Sequence, residues 1–425
     1  MTKNTRNVTA KKPTTRRDTK ENKGGAKEKE EKSKVPSKTV KTEKKEEKKV
    51  APKKEEEKKT GPQESGRKKK TTGARSIGRT TSTAEITPLK TEKSVLNTVN
   101  QSNRQNTKRG KEKWAGEESA KLWVNTLEGL NLATEYDEIK KMTVQIERCK
   151  VWQTNMLRNR HNDYKCYDDN RVIVQMTSND YINGSKIYVP DFPRPVLLVQ
   201  LPKFDQMDAI EEFWRMIFTE QCSSVHLIAQ SKELEGGNFS KLFSQENGGY
   251  FYANKFFVNT RKVDKNPDDK MDVHVVELLP EGCSNSVICQ VYTHLYWKAQ
   301  GGPEKFYAPI RAATAIAKID FDKNPVAIVS FRGAGRNSAL LTLAVVVSNF
   351  LKGITPNISN IVRAIREQRP MSVDSSTQYN SIYLATCWLV KAKVTNCENV
   401  KQRLKKFRDK FDAPAQSSNN TTDNS

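Results

Sequence analysis

At 425 residues the chain is long enough for two or three domains, yet its charge is concentrated at one end. Residues 1–110 hold 33 lysines and arginines against 14 aspartates and glutamates, which is +19 of the total +24. That stretch is nearly free of aromatic and branched apolar residues and cannot bury enough surface to offset chain entropy, which excludes a second large core. A disordered Lys/Glu-rich arm (residues 1–111), one domain (residues 112–412) and a short disordered tail (residues 413–425) are expected. The cysteines (Cys149, Cys166, Cys222, Cys283, Cys289, Cys387 and Cys397) include no C-x-x-C pair and are odd in number, so no disulfide framework or zinc site is indicated. Met1-Thr2-Lys3-Asn4 opens without an apolar leader, and no run approaches the roughly 18 apolar residues of a membrane span. The chain therefore reads as reduced and intracellular.

Taken in order, the arm mixes Lys/Glu blocks (Lys41 to Lys59) with polar stretches. It suits nucleic acid or an acidic surface as partner, or simply a solvated tether, since interleaved glutamates dilute any single-sign field. Arg67-Lys68-Lys69-Lys70 has the composition of a nuclear-import signal, a run common in Lys-rich tails. Helical spacing predicts helices over Trp114 to Leu130 and Thr134 to Thr154. Strands are predicted at Arg171 to Met176, Ser185 to Val189 and Val196 to Leu201, then a helix at Ala209 to Thr219 and a strand at Ser224 to Ala229. Further strand-like runs at Tyr250 to Val258, Asp272 to Leu279 and Val287 to Leu295 suggest a twisted, mostly antiparallel sheet. Helices are predicted at Glu304 to Ile319, Leu340 to Leu351, Ile358 to Glu367, Tyr379 to Lys391 and Glu398 to Phe411. The last of these is basic and amphipathic, and a terminal packing helix is the simplest reading of it.

One stretch stands out. Val326 to Val329 reads as a buried strand, Ser330-Phe331-Arg332-Gly333-Ala334-Gly335-Arg336 as a glycine-bearing loop, and the residues from Ala339 as a buried helix. Strand, loop and helix N-terminus converge backbone N–H groups on one point, where the helix dipole adds partial positive charge. With two arginines in the loop, phosphate is the expected guest, because a guanidinium binds it bidentately.

Residues 150 to 390 resemble the catalytic domain of the protein tyrosine phosphatases. Asn159-Arg160-His161-Asn162-Asp163 with Tyr167-Asp168 and Arg171-Val172 is similar to that family's N-R-Y-x-D…Y-D-x-x-R-V loop, and Asp180-Tyr181-Ile182-Asn183-Gly184-Ser185 to D-Y-I-N-A-S. Gln200-Leu201-Pro202 and Phe213-Trp214-Arg215-Met216 resemble Q-G-P…F-W-x-M, and Trp297 to Pro303 falls on W-P-D-x-G-x-P. Ser330 to Arg336 falls on C-x-x-x-x-x-R, and Gln378-Tyr379 on the final Q-Y. The resemblance implies an α/β fold with a twisted mixed sheet flanked by helices, and no cofactor. It implies phosphate binding by Ser330, Phe331, Arg332, Gly333, Ala334, Gly335 and Arg336, and a phosphotyrosine pocket that includes His161, Asp163 and Gln378.

The family's chemistry needs a thiolate nucleophile, an arginine clamp, an aspartic general acid and a glutamine that positions water. Against that pattern the nucleophile position is Ser330, the general-acid position is Ala299 and the first glutamine is Asp374. Val329 replaces a histidine, and Asn337 and Ser338 replace a hydroxyl residue and glycine. The expectation is a pseudophosphatase that binds a tyrosine-phosphorylated or otherwise anionic protein as a scaffold in cytoplasmic or nuclear signalling. An active phosphatase with an atypical nucleophile, and nucleic-acid or acidic-surface binding through residues 1–110, are the alternatives. Two further expectations are that Arg332 pairs with Asp374 by charge, and that Arg336→Met removes phosphopeptide affinity with the fold intact.

Overall fold

The computed structural model describes residues 114–266, 271–318 and 324–412; the expectations for residues 1–111 and 413–425 lie outside them. A nine-stranded sheet is the frame. Its strands are β1 (Arg171–Ile173), β2 (Tyr181–Ile187), β3 (Val196–Gln200), β4 (Ser224–Ile228), β5 (Gly249–Ala253), β6 (Phe256–Asp264), β7 (Met271–Pro280), β8 (Val287–His294) and β9 (Val326–Ser330), in spatial order 1-2-3-9-4-8-7-6-5. By number of pairings the sheet is mostly antiparallel, but its centre is not. Strands β3, β9, β4 and β8 run parallel, and the antiparallel pairs form the two flanks.

Every residue of β3, β4 and β9 is buried, which is why these segments read as continuous apolar runs. Alternate side chains feed two cores. Leu198, Val326 and Ile328 join the core that also takes in helices α1 (Glu117–Asn125), α2 (Leu132–Lys140), α5 (Tyr307–Lys318), α6 (Arg336–Leu351), α7 (Ile358–Gln368), α8 (Ser376–Lys393) and α9 (Glu398–Asp412). Leu197, Val199, Ala327 and Val329 face the other core, beneath α4 (Met207–Thr219) and Phe239, Leu242 and Phe243. Helix α6 lies at the middle of the first core with Arg336 to Phe350 all buried, so it shows no amphipathic stripe. Trp114 and Trp123 pack edge-on against its Phe350, with ring centroids 5.7 and 6.1 Å away.

Several sequence expectations need correcting. The helix expected over Thr134 to Thr154 breaks after Lys140, and the chain resumes as a short α3 (Lys150–Thr154). Val144, in the break, packs on a small cluster of Cys149, Trp152 and Tyr167, an anchor that a continuous helix would not reach. The run Tyr250 to Val258 is a hairpin, β5 and β6, turned at Asn254, which takes the left-handed φ of 49° that asparagine tolerates. The second strand begins at Tyr181 rather than Ser185 and pairs with β3 from Gly184 to Ile187. Elsewhere the helix ends shift by a few residues.

Register places the site. Ser330 at the end of β9 pairs with Gln200 of β3 on one side and Ile228 of β4 on the other. Three parallel strands therefore finish at one level, and the loop after each opens onto the same edge, the position where parallel sheets gather functional groups.

Candidate functional site

The loop from Ser330 to Gly335 leaves β9 and enters α6 with its carbonyls tied away from its centre. Ser330 O accepts from Leu201 N–H (2.9 Å), Ala334 O from Val373 N–H (3.0 Å) and Gly335 O from Ala339 N–H (3.0 Å). Arg332 O accepts from Gln200 Nε2 (3.0 Å), and Gly333 O from Arg369 Nε (2.5 Å) and Asn337 Nδ2 (3.0 Å). Five of the loop's six carbonyls are thus engaged, that of Phe331 being the exception among the described residues. Arg332, Ala334 and Gly335 donate no backbone hydrogen bond among the described residues. Unengaged backbone donors ahead of a helix N-terminus are the groups from which an anion nest is built.

Both glycines of the loop are needed, for different reasons. Gly333 has φ +85°, and a Cβ there would lie 2.6 Å from Gln200 Cβ. Gly335 has an ordinary φ, but its Cβ would meet Asp374 Oδ1 and Gln378 Nε2 at 2.7 Å. Gly333→Ala is expected to destabilise the domain by about 2–3 kcal/mol, combining left-handed strain with a clash against buried structure. A shift in the urea midpoint with unchanged slope checks this.

Ser330 is 1% exposed, and its Oγ accepts from Gly333 N–H at 3.1 Å. Among the described residues it has no hydrogen-bonded histidine, lysine or carboxylate, so nothing is placed to take its proton.

Arg336, at the first position of α6, is held from its far end. It is 2% exposed; Nη1 donates to Glu233 Oε2 (2.6 Å) and to the Trp297 carbonyl (3.0 Å), and Nη2 to Glu233 Oε1 (3.0 Å). Three of its five N–H groups are thus engaged at the far end. The Nε–H and the second Nη2–H have no partner among the described residues and lie side by side on one edge, the paired donors by which a guanidinium meets two oxygens of one acid group. Glu233 belongs to a 3₁₀ turn, Ser231–Glu233, just after β4.

His161 packs against Phe331 with ring centroids 5.1 Å apart, and Arg160 lies over the same Phe331 ring at 4.9 Å. Burial, with Arg332 and Arg160 nearby, pushes the His161 imidazole below its ordinary range, so it is neutral at pH 7. Gln200 fixes this wall by accepting from the N–H groups of Arg160 (2.8 Å) and His161 (3.2 Å). Asp163 is exposed nearby along the chain.

The segment Trp297–Pro303 is held down through its carbonyls. Arg336 takes that of Trp297, Gln378 Nε2 donates to Ala299 O (3.1 Å) and Ser375 Oγ to Gln300 O (2.6 Å). Gln378 also accepts from Asp374 N–H (3.2 Å), so its amide links that segment to Asp374. Ala299 brings a methyl group and no proton to transfer.

Asp374 does not pair directly with Arg332. Its Oδ2 accepts from the Tyr164 hydroxyl at 2.6 Å, and Arg332 Nη1 reaches the same hydroxyl at 3.3 Å, so the phenol stands between the two charges. Burial raises the Tyr164 phenol to about 12, and raises the Asp374 carboxyl above its ordinary value against the pull of Arg332 and Arg336. Glu233, Tyr164 and Arg369 were missed in the sequence, because each is brought to the site from a distant element and carries no spacing signal.

Unengaged backbone donors, a buried arginine and an aromatic pair thus meet at the C-terminal edge of the parallel strands of an α/β domain. The Protein-tyrosine phosphatase family model matches residues 155–388, more than half of the chain, and the chain belongs to that family. A Caenorhabditis elegans relative provisionally named a tyrosine-protein phosphatase is 28% identical over 298 residues, covering 69% of this chain and 72% of its own. Mouse tyrosine-protein phosphatase non-receptor type 2 is 22% identical over 267 residues, covering 61% of this chain and 64% of its own, just under two thirds. A solved protein tyrosine phosphatase of Trypanosoma cruzi is similar in fold with TM-score 0.54 at 19% identity, covering 61% of this chain and 92% of its own. No helix among the described residues is long and apolar enough to cross a membrane.

Proposed function

We propose that this chain is a phosphatase-family domain that no longer turns over phosphate esters and instead holds a tyrosine-phosphorylated segment of a signalling partner. The observation that carries this reading is the unused Nε/Nη2 edge of Arg336, beside an amide nest whose base is the unactivated Ser330. The nest and the arginine supply charge and geometry for a phosphate. A serine hydroxyl without a base, and Ala299 where the family places its acid, supply neither nucleophile nor proton. His161 and Phe331 offer the aromatic ring a wall. The missing groups are each worth several orders of magnitude in rate.

Two measurements test it. Full-length protein is expected to bind a phosphotyrosine peptide and to ignore the same peptide without phosphate. It is also expected to leave a small aryl phosphate unhydrolysed, while the Ser330→Cys, Ala299→Asp double variant gains at least about a hundredfold over it. Wild-type turnover equal to that of the double variant would show an active enzyme with an atypical nucleophile. Equal binding of the two peptides would remove the phosphate role.

A further inference from the structure

The carboxyl of Asp374 is oddly provided for. One oxygen, Oδ2, accepts from Tyr164. The other, Oδ1, is buried and has no hydrogen-bond partner among the described residues. That bare oxygen lies over Gly335, 2.7 Å from where a Cβ would stand, at the residue that leads into Arg336. An ionised oxygen left without a donor at that depth is costly. Gly335 N–H is one of the unengaged donors of the loop, so an oxyanion held there and an ionised Asp374 are like charges beside the same residue and disfavour each other.

We propose that Asp374 makes the cradle proton-gated: an oxyanion binds with uptake of one proton by the Asp374 carboxyl, which removes the like charge beside Gly335. The inference rests on the reading of the cradle as an oxyanion site and adds what decides its occupancy. One proton moves from solvent to the carboxyl, the orphan oxygen loses its charge, and the repulsion is removed. No covalent bond changes.

The surrounding charges are consistent with such a gate. Tyr164 faces the carboxyl from the loop before β1, Arg332 from the cradle, Arg336 from α6, Tyr136 from α2 and Arg366 from α7. The arginines favour the ionised form and burial opposes them. Burial prevails, and the carboxyl titrates above the ordinary aspartate range. In the empty site the carboxylate stays ionised to lower pH than it does beneath a bound anion, and that difference is the linkage.

Sulfate is the probe, because it stays a dianion over about pH 5 to 8, whereas a phosphate ester changes charge near pH 6. Its affinity for the full chain is measured by calorimetry across that range, with a thermal melt at each pH to confirm folding. Wild-type affinity is expected to fall as pH rises, approaching tenfold per unit once the free carboxyl is ionised. Asp374→Asn, which keeps a donor and removes the charge, is expected to bind sulfate with no pH slope and more tightly at pH 8. His161→Asn removes the other titrating group of the pocket and is expected to keep the slope. A flat wild-type profile, or a slope that survives in Asp374→Asn or vanishes in His161→Asn, overturns the gate while leaving the oxyanion site standing. No sulfate binding by wild type or Asp374→Asn at any pH overturns both.

Discussion

Arg336→Met is expected to abolish phosphopeptide binding and, contrary to the expectation from sequence, to cost the fold about 3–5 kcal/mol. The cost comes from Glu233. Its carboxylate is 12% exposed; each oxygen accepts from this one guanidinium, and the only other donor to it among the described residues is the neutral Gln230 N–H (2.7 Å). Removing the arginine alone leaves a buried carboxylate without its cation, and also takes the donor from the Trp297 carbonyl. Arg336→Met, Glu233→Gln removes both charges and is expected to recover most of the stability while leaving binding lost. A urea-denaturation cycle over the wild type, both single variants and the double reads the coupling directly. Binding that persists in the folded double variant would mean that the amides alone hold the guest. A coupling near zero would mean that the pair contributes no more than a surface ion pair.

The second large effect is on acid stability and lies outside the cradle. His226 and His294, both 0% exposed, sit on neighbouring parallel strands with Nδ1 of the first 3.1 Å from Nε2 of the second. Ser224 Oγ lies 3.2 Å from the other nitrogen of His226, and Tyr296 Oη 3.1 Å from that of His294, so four side chains form one buried chain. Tyr292 stacks on His226 at 4.6 Å, nearly parallel. Burial drives His226 down to about 3 and His294 well below its ordinary value, with the partner histidine and Arg311 adding to the latter.

Both rings are therefore neutral in the folded protein, whereas the unfolded chain protonates them near pH 6.5. Their contribution is fully present above pH 6.5 and is lost as pH falls from there toward 3, at about 1.4 kcal/mol per pH unit for each ring. Wild type is expected to lose stability between pH 6.5 and 4.5 more steeply than a His226→Leu, His294→Phe variant, by on the order of 4 kcal/mol over the window. Comparing the two proteins cancels the carboxylates they share. Parallel pH profiles would show that the pair titrates in the folded state.

How much of this was legible in the chain differs by element. The strand–loop–helix unit was, because its signals are local: an apolar run, two glycines, a helix start. The family resemblance rested on motifs that the sheet brings together at one edge. Tyr181 illustrates this, since its hydroxyl donates to Asn159 at 2.6 Å and ties one motif to another. The parallel centre was not legible. β3, β9, β4 and β8 are far apart in sequence, and period-2 patterning is silent about which strands pair. Nor could charge complementarity alone place Arg332 beside Asp374, because the Tyr164 hydroxyl that separates them comes from 168 residues before the arginine. Glu233 was invisible for the same reason. A single acid in a polar turn looks like any surface residue until the fold buries it against Arg336.

The outward tethering of the loop's carbonyls has a last consequence. All but that of Phe331 are fixed by a donor from outside the loop or from the helix that follows it, so the loop is expected to keep its shape whether or not a guest is present. The ordering cost of the receptor is met on folding rather than on binding, which is preorganisation in the strict sense. Such a site selects by fit. Under the proposed oxyanion reading, tetrahedral anions of one size are expected to enter without rearrangement and planar or bulkier ones to be refused. Recognition is then limited by stripping water from the guest, and little of it by any adjustment of the protein.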